Sequence, residues 1–138
     1  MKRSLWIFVV AALCLSACKK NTQTACGTQV CTDLFASVGV HFVDKNNNPV
    51  SVSNFTVVDL RTNKPIMHTI PEGLGYNGGY MEILDDNDIK DLSTEGDNIR
   101  VSATNPATGQ VITTIFKISG GCNCHVTKIS GPDTIHFS

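Results

Sequence analysis

The residues best suited to chemistry are Cys122, Cys124 and His125, which stand together in the run Cys122-Asn123-Cys124-His125. Two thiolates and an imidazole are ligands that zinc and copper(I) accept. On a continuous strand, however, the two cysteines share one face and the histidine points to the other. The three side chains can hold one ion only if the strand is broken, and the preceding Gly120-Gly121 allows such a break. A metal site is therefore one of two predictions for this motif.

The other prediction is a pair of disulfides, and it depends on how the chain begins. Lys2 and Arg3 precede an apolar run over residues 5–15, which is shorter than the roughly 20 residues that a bilayer span needs. Small residues follow, in Leu15-Ser16-Ala17-Cys18. This is the pattern of a secretory signal, and its end resembles the lipobox of bacterial lipoproteins. The resemblance implies removal of residues 1–17, a lipid on Cys18 and a lipid anchor in the outer membrane of the cell envelope.

Four cysteines are left for the mature chain, because Cys14 leaves with the signal and Cys18 takes the lipid. An even number in an oxidising compartment predicts two disulfides. Neighbours two apart on a strand lie about 6.5–7 Å apart at Cα, at the outer edge of disulfide geometry. A bond between Cys122 and Cys124 is therefore disfavoured. We expect each of them to bond to Cys26 or Cys31, in an order that the sequence leaves open.

The other polar or glycine-rich motifs of the sequence do not match the full pattern of a known binding or catalytic site. Seven acidic residues are clustered between residues 82 and 97. Their spacing does not match that of a calcium-binding loop, so we predict a solvated acidic turn. The seven are Glu82, Asp85, Asp86, Asp88, Asp91, Glu95 and Asp97. The literal G-x-G-x-x-G over residues 73–78 has no strand before it and no helix after it, so we interpret it as a loop. No nucleophile elbow and no H-E-x-x-H motif is present. We expect no enzymatic activity, no catalytic residue and no cofactor.

Hydrophobic alternation predicts the fold class. Residues 36–42, 99–103 and 112–118 alternate with period two, and no segment carries a helical stripe. Turn clusters such as residues 44–49 and 105–109 separate the runs. We predict an all-β, antiparallel sandwich of about seven strands over residues 31–138, after an anchor and tether over residues 18–30. Residues 122–129 and 134–137 are expected to form its last strand pair, and His125 and His136 would share a surface zinc site if that hairpin paired suitably.

The opening of this domain carries a family resemblance. A strand over residues 36–43, an Asp44 turn and Pro49 before the second strand resemble carboxypeptidase regulatory-like, transthyretin-like modules. With the lipobox and early cysteines, the chain resembles small lipoproteins of Bacteroidota that carry such modules. The resemblance implies an Ig-like fold and a non-catalytic role, and it assigns no functional residue.

The charge of the chain limits the kinds of partner that it is expected to bind. The whole chain has 11 basic and 12 acidic side chains, and loss of Lys2 and Arg3 leaves the mature chain more acidic. Without a basic patch we expect no nucleic-acid partner. The predicted function is a lipid-anchored binding or structural module, meeting the membrane through its lipid and an envelope protein or glycan through loops 71–79 and 85–97. The alternative is an extracytoplasmic zinc or copper carrier using Cys122, Cys124 and His125; a hydrolase built from scattered carboxylates is a third hypothesis.

Overall fold

The computed structural model describes residues 26–67 and 78–138, which form eight strands and one short helix. The strands are β1 (Ser37–Val43), β2 (Ser53–Asp59), β3 (Lys64–Ile66), β4 (Tyr80–Asp85), β5 (Asp97–Thr104), β6 (Val111–Ser119), β7 (Thr127–Ser130) and β8 (Thr134–His136). A 3-10 helix, Asp86–Asp91, lies between β4 and β5. The prediction of a domain built from strands with almost no helix is confirmed.

The strands form two sheets. One has the order β4-β1-β8, and the other has the order β3-β2-β5-β6-β7. The expected last hairpin is wrong, because β7 pairs with β6 while β8 pairs with β1 in the other sheet. The β1–β8 pairing is also parallel, so the sheets are not wholly antiparallel. The chain changes sheets at the turn after Ser130, where the Asp133 carbonyl accepts a hydrogen bond from the His41 amide at 3.0 Å.

The hydrophobic core lies between the two sheets. Alternate residues of β5 (Ile99, Val101 and Ala103) are buried, as the period-two pattern predicts. They belong to one cluster with Phe42 of β1 and Phe116 of β6, which come from different sheets. Burial of two apolar sheet faces against each other is the layered arrangement of a β-sandwich.

One predicted strand begins later in the structure than the sequence suggests. The segment expected as a strand over residues 122–129 forms a strand only from Thr127, because residues 120–126 form a loop. For residues 89–92 the sequence allows a short strand or one helical turn, and the helical alternative is present, since residues 89–91 belong to the 3-10 helix. Residues 26–36 form no strand and run along the surface. Within the described part of the chain, no helix has the length and apolar character needed to cross a membrane.

Candidate functional site

Two crosslinks join the beginning of the described chain to the loop after β6. Cys26 is bonded to Cys122 with a Cα–Cα distance of 5.2 Å, and Cys31 to Cys124 with 5.3 Å. Both distances lie within the usual range for disulfides. The structure thus specifies the order that the sequence leaves open. Residues 26–36 and 120–126, which these bonds hold together, are called the crosslinked region below.

The loop that carries the second cysteine pair begins at a pair of glycines. Gly121 has φ +60°, a conformation that favours glycine. A Cβ at this position would lie 2.7 Å from Thr94 Oγ1, closer than side chains normally approach. The Cys122 amide donates to the same hydroxyl at 3.1 Å. The break in the strand that the Gly120-Gly121 pair allows is therefore present, and strand alternation no longer separates His125 from the cysteines.

His125 connects the two parts of the crosslinked region. Its Nδ1 lies 2.7 Å from Asp86 Oδ2, and its Nε2 lies 3.0 Å from Thr32 Oγ1. An ionised carboxylate only accepts hydrogen bonds, so Nδ1 carries the proton that is donated to Asp86. In the neutral imidazole, Nε2 then accepts from the Thr32 hydroxyl.

Asp86 is the centre of this network. Its Oδ2 accepts a hydrogen bond from the Ala36 amide at 2.8 Å, and its Oδ1 accepts one from the Val126 amide at 2.8 Å. Burial alone would raise the pKa of Asp86, but the hydrogen bonds from His125 and the two amides outweigh burial and hold the pKa below its ordinary value. The charged carboxylate thus binds both chain segments next to the disulfides.

The predicted metal ligands are engaged with protein groups in this state of the molecule. The sulfurs of Cys122 and Cys124 are bonded to other sulfurs, whereas zinc and copper(I) bind thiolates. Both ring nitrogens of His125 have hydrogen-bond partners. Among the residues that the structure describes, no three His, Cys, Asp or Glu side chains are grouped to hold a metal ion.

The series Thr32, His125 and Asp86 has the order of groups that activates a hydroxyl nucleophile. A nucleophile also needs a cavity in which a substrate can be placed. Two cavities of about 320 Å³ lie elsewhere, one lined in part by Arg61 and the other by residues such as Thr62 and Met67, and none of the three residues lines either cavity. The contacts observed hold residues 26–36 to the 3-10 helix and to the loop after β6.

The acidic turn is not solvated throughout, and this expectation is wrong for several members. Asp97 is buried and accepts hydrogen bonds from Arg61 Nε at 2.9 Å and from the Ser93 amide and hydroxyl at 2.8 and 2.7 Å. Asp85 is buried and caps the 3-10 helix, accepting from the Asn87 amide at 2.7 Å. These carboxylates bind to the protein itself, which leaves Asp91 and Glu95 as the exposed acids of residues 85–97.

Sequence reasoning missed Thr32 and Asp86 as partners of His125. They lie 93 and 39 residues away along the chain, so no local spacing connects the three. His41 and His136 are exposed, as their polar-facing positions predict. His136 lies in β8 on the opposite sheet from β7, so the hairpin required for a zinc site of His125 and His136 is not formed. Cys18, His68 and residues 71–77 of the predicted contact loop lie outside the described residues.

No protein-family model, no curated protein and no solved structure matches this chain.

Proposed function

We propose that this protein is a lipid-anchored module of the bacterial cell envelope, with a binding or structural role and no catalytic activity. In this proposal residues 1–17 are the signal peptide, Cys18 carries the lipid, and the domain is Ig-like, of the carboxypeptidase regulatory-like or transthyretin-like type. Its partner is an envelope protein or glycan that contacts the loops of the domain.

The observation that carries the proposal is the position of the two disulfides. Cys26 and Cys31 follow the predicted lipid site, Cys18, by 8 and 13 residues, and each is bonded to the loop after β6. Structural disulfides of this kind persist outside the cytoplasm. Force on the anchor would reach the larger sheet through these bonds, without first separating β1 from its neighbours. Such an attachment suits a domain that is held to a membrane at its N-terminal end.

A second candidate function is an extracytoplasmic metal carrier, favoured by the convergence of four cysteines and His125 in the crosslinked region. Thiolate ligands would appear there only after two-electron reduction of a disulfide by a thiol reductant. Thiol counting on protein isolated from cells separates the two functions: disulfides leave no free thiol, whereas the carrier has thiols that bind zinc or copper(I).

The test of the anchored module is metabolic labelling with a fatty acid in cells that express the full chain. We expect Cys18→Ala to abolish the label and to release the protein from membranes. Cys14→Ala is the matched control, because this cysteine lies within the apolar run and its loss leaves the cleavage site intact. Persistent labelling of the Cys18→Ala protein would refute the lipoprotein assignment.

A further inference from the structure

The segment between the proposed anchor and β1 exposes large apolar side chains. Val30 is 99% exposed, Leu34 75% and Phe35 65%. Asp33 is the only charged residue among residues 26–36. Exposed apolar residues are common singly, but three within six positions form a local concentration that points to a contact.

This segment is held in place although it belongs to neither sheet. The Cys31–Cys124 bond lies within it, and the Ala36 amide is bonded to Asp86 at its end. The Thr32 hydroxyl is bonded to His125 between them. Because the backbone is already restrained, a surface that contacts these side chains need not order it, which favours binding.

The short distance between this segment and the proposed lipid anchor indicates which partner its exposed side chains contact. Eight residue steps separate Cys18 from Cys26, and a fully extended chain covers about 28 Å in eight steps. Cys26, where the segment begins, therefore lies within about 28 Å of the lipidated residue in every orientation of the domain. Lys19 and Lys20 are next to the proposed lipid in the sequence, where basic side chains favour contact with anionic head groups.

Resting on the proposed function, we propose that Val30, Leu34 and Phe35 insert into the interfacial layer of the lipid bilayer. They form a second contact beside the lipid and set the orientation of the domain. Three side chains are few for a protein interface, which commonly buries about 800 Å² on each partner. They suffice for an interfacial membrane contact, where apolar side chains enter the boundary between head groups and acyl chains.

The experiment uses tryptophan as a depth probe in the lipidated protein. Trp6 is the only tryptophan of the chain and is removed with the predicted signal, so an introduced residue is the one tryptophan of the mature protein and can be excited selectively over tyrosine. Phe35→Trp places it in the segment. Val111→Trp is the matched control, because Val111 is also 65% exposed. It begins the nine-residue strand β6, about 27 Å from the strand end that leads to the crosslinked region.

Both variants are reconstituted into vesicles of phosphatidylcholine brominated on its acyl chains. We expect bromination to lower the emission of F35W at least about twofold, because interfacial side chains reach about 5–10 Å into the head-group and acyl boundary. Emission of V111W should stay unchanged. Circular dichroism of both variants is compared with that of the parent protein to establish that the fold is retained.

Flotation of the vesicles distinguishes this proposal from the proposed function. If F35W floats with the vesicles and bromine does not quench it, the membrane contact is refuted while the anchor stands. If neither protein floats, the anchor and the contact both fail. Equal quenching of F35W and V111W refutes this surface as the specific contact. A concentration-dependent blue shift of F35W without vesicles would identify a second copy of the chain as the occupant and overturn the proposal.

Discussion

The Asp86 carboxylate is bonded to both parts of the crosslinked region. It accepts hydrogen bonds from the His125 ring and from the amides of Ala36 and Val126. Asp86→Asn replaces one acceptor oxygen by an amide donor and removes the charge. We expect the free energy of unfolding to fall by about 2 kcal/mol, the scale of hydrogen bonds to a charged group. Urea unfolding at pH 7 measures this change.

Glu95→Gln is the control for Asp86→Asn, since Glu95 is an exposed acid in the same segment. Its substitution should change stability by less than about 0.5 kcal/mol, as is usual for surface positions. Equal effects of the two substitutions would contradict a structural role for Asp86.

Asp97 predicts how stability depends on pH. Burial would raise the pKa of Asp97, but hydrogen bonds from Ser93 and Arg61 outweigh it and hold the pKa below its ordinary value. The unfolded chain, with a carboxyl pKa of about 3.9, then binds more protons than the folded chain in acid. The contribution of Asp97 is fully present above this value and is lost as pH falls through the lower, folded pKa. Asp86 acts in the same direction.

We therefore expect Asp97→Asn to be less stable than the parent protein at neutral pH and to lose less of its stability in acid. The two curves of urea midpoint against pH should approach each other as pH falls from about 5 to 2, because protonation removes the charge of Asp97 in the parent protein, whereas the amide of the variant is uncharged throughout. The curve of urea midpoint against pH for Glu95→Gln should run parallel to that of the parent protein. Parallel curves for Asp97→Asn as well would show that Asp97 does not contribute to acid sensitivity.

The two disulfides connect the same two segments of the chain, so the first to form should stabilise the fold more than the second. A first crosslink closes a loop with a sequence separation of 96 or 93 residues, which the chain-entropy model values at about 4.7 kcal/mol. Once it exists, the second closes only the short path through residues 26–31 and 122–124. For a ring of about nine residues the same relation gives about 2.6 kcal/mol. The two contributions are thus coupled and depend on the order of formation.

We expect C26S/C122S and C31S/C124S each to lose about 2.6 kcal/mol, and the four-serine variant to lose about 7 kcal/mol. Guanidinium chloride unfolding of the three variants measures these losses. Losses of about 4.7 kcal/mol for each single bridge, adding in the four-serine protein, would mean that the bridges act independently.

Strands could be predicted from the sequence where the signal is a local pattern of residues, but pairings between distant parts of the chain could not. β5 alternates strictly between buried and more exposed positions, β1 and β6 alternate over most of their length, and the period-two runs locate all three strands. The pairing of β8 with β1 escaped prediction because a short turn favours a hairpin, and nothing in residues 130–137 indicates a parallel partner far along the chain. The buried state of Asp97 was missed for the same reason, because its partner Arg61 is 36 residues away.

Stability should be distributed unevenly over the whole molecule. β5 lies at the centre of the larger sheet and pairs with β6 over eight consecutive positions and with β2 on its other side. β3 and β8 have three residues each and lie at sheet edges. Central strands with many buried contacts open only with the whole domain, whereas short edge strands open locally.

Hydrogen–deuterium exchange resolved by residue measures this distribution. We expect the hydrogen-bonded amides of β5 and β6 to exchange slowest, at the rate of global unfolding, and those of β3 and β8 to exchange fastest among the strands. Exchange rates are compared between β5 and β3 of the same sheet, because both strands are then measured in one sample with one overall stability. Equal protection of β3 and β5 would show that the domain opens as one cooperative unit. Faster exchange in β5 than in β3 would contradict the strand order of the larger sheet.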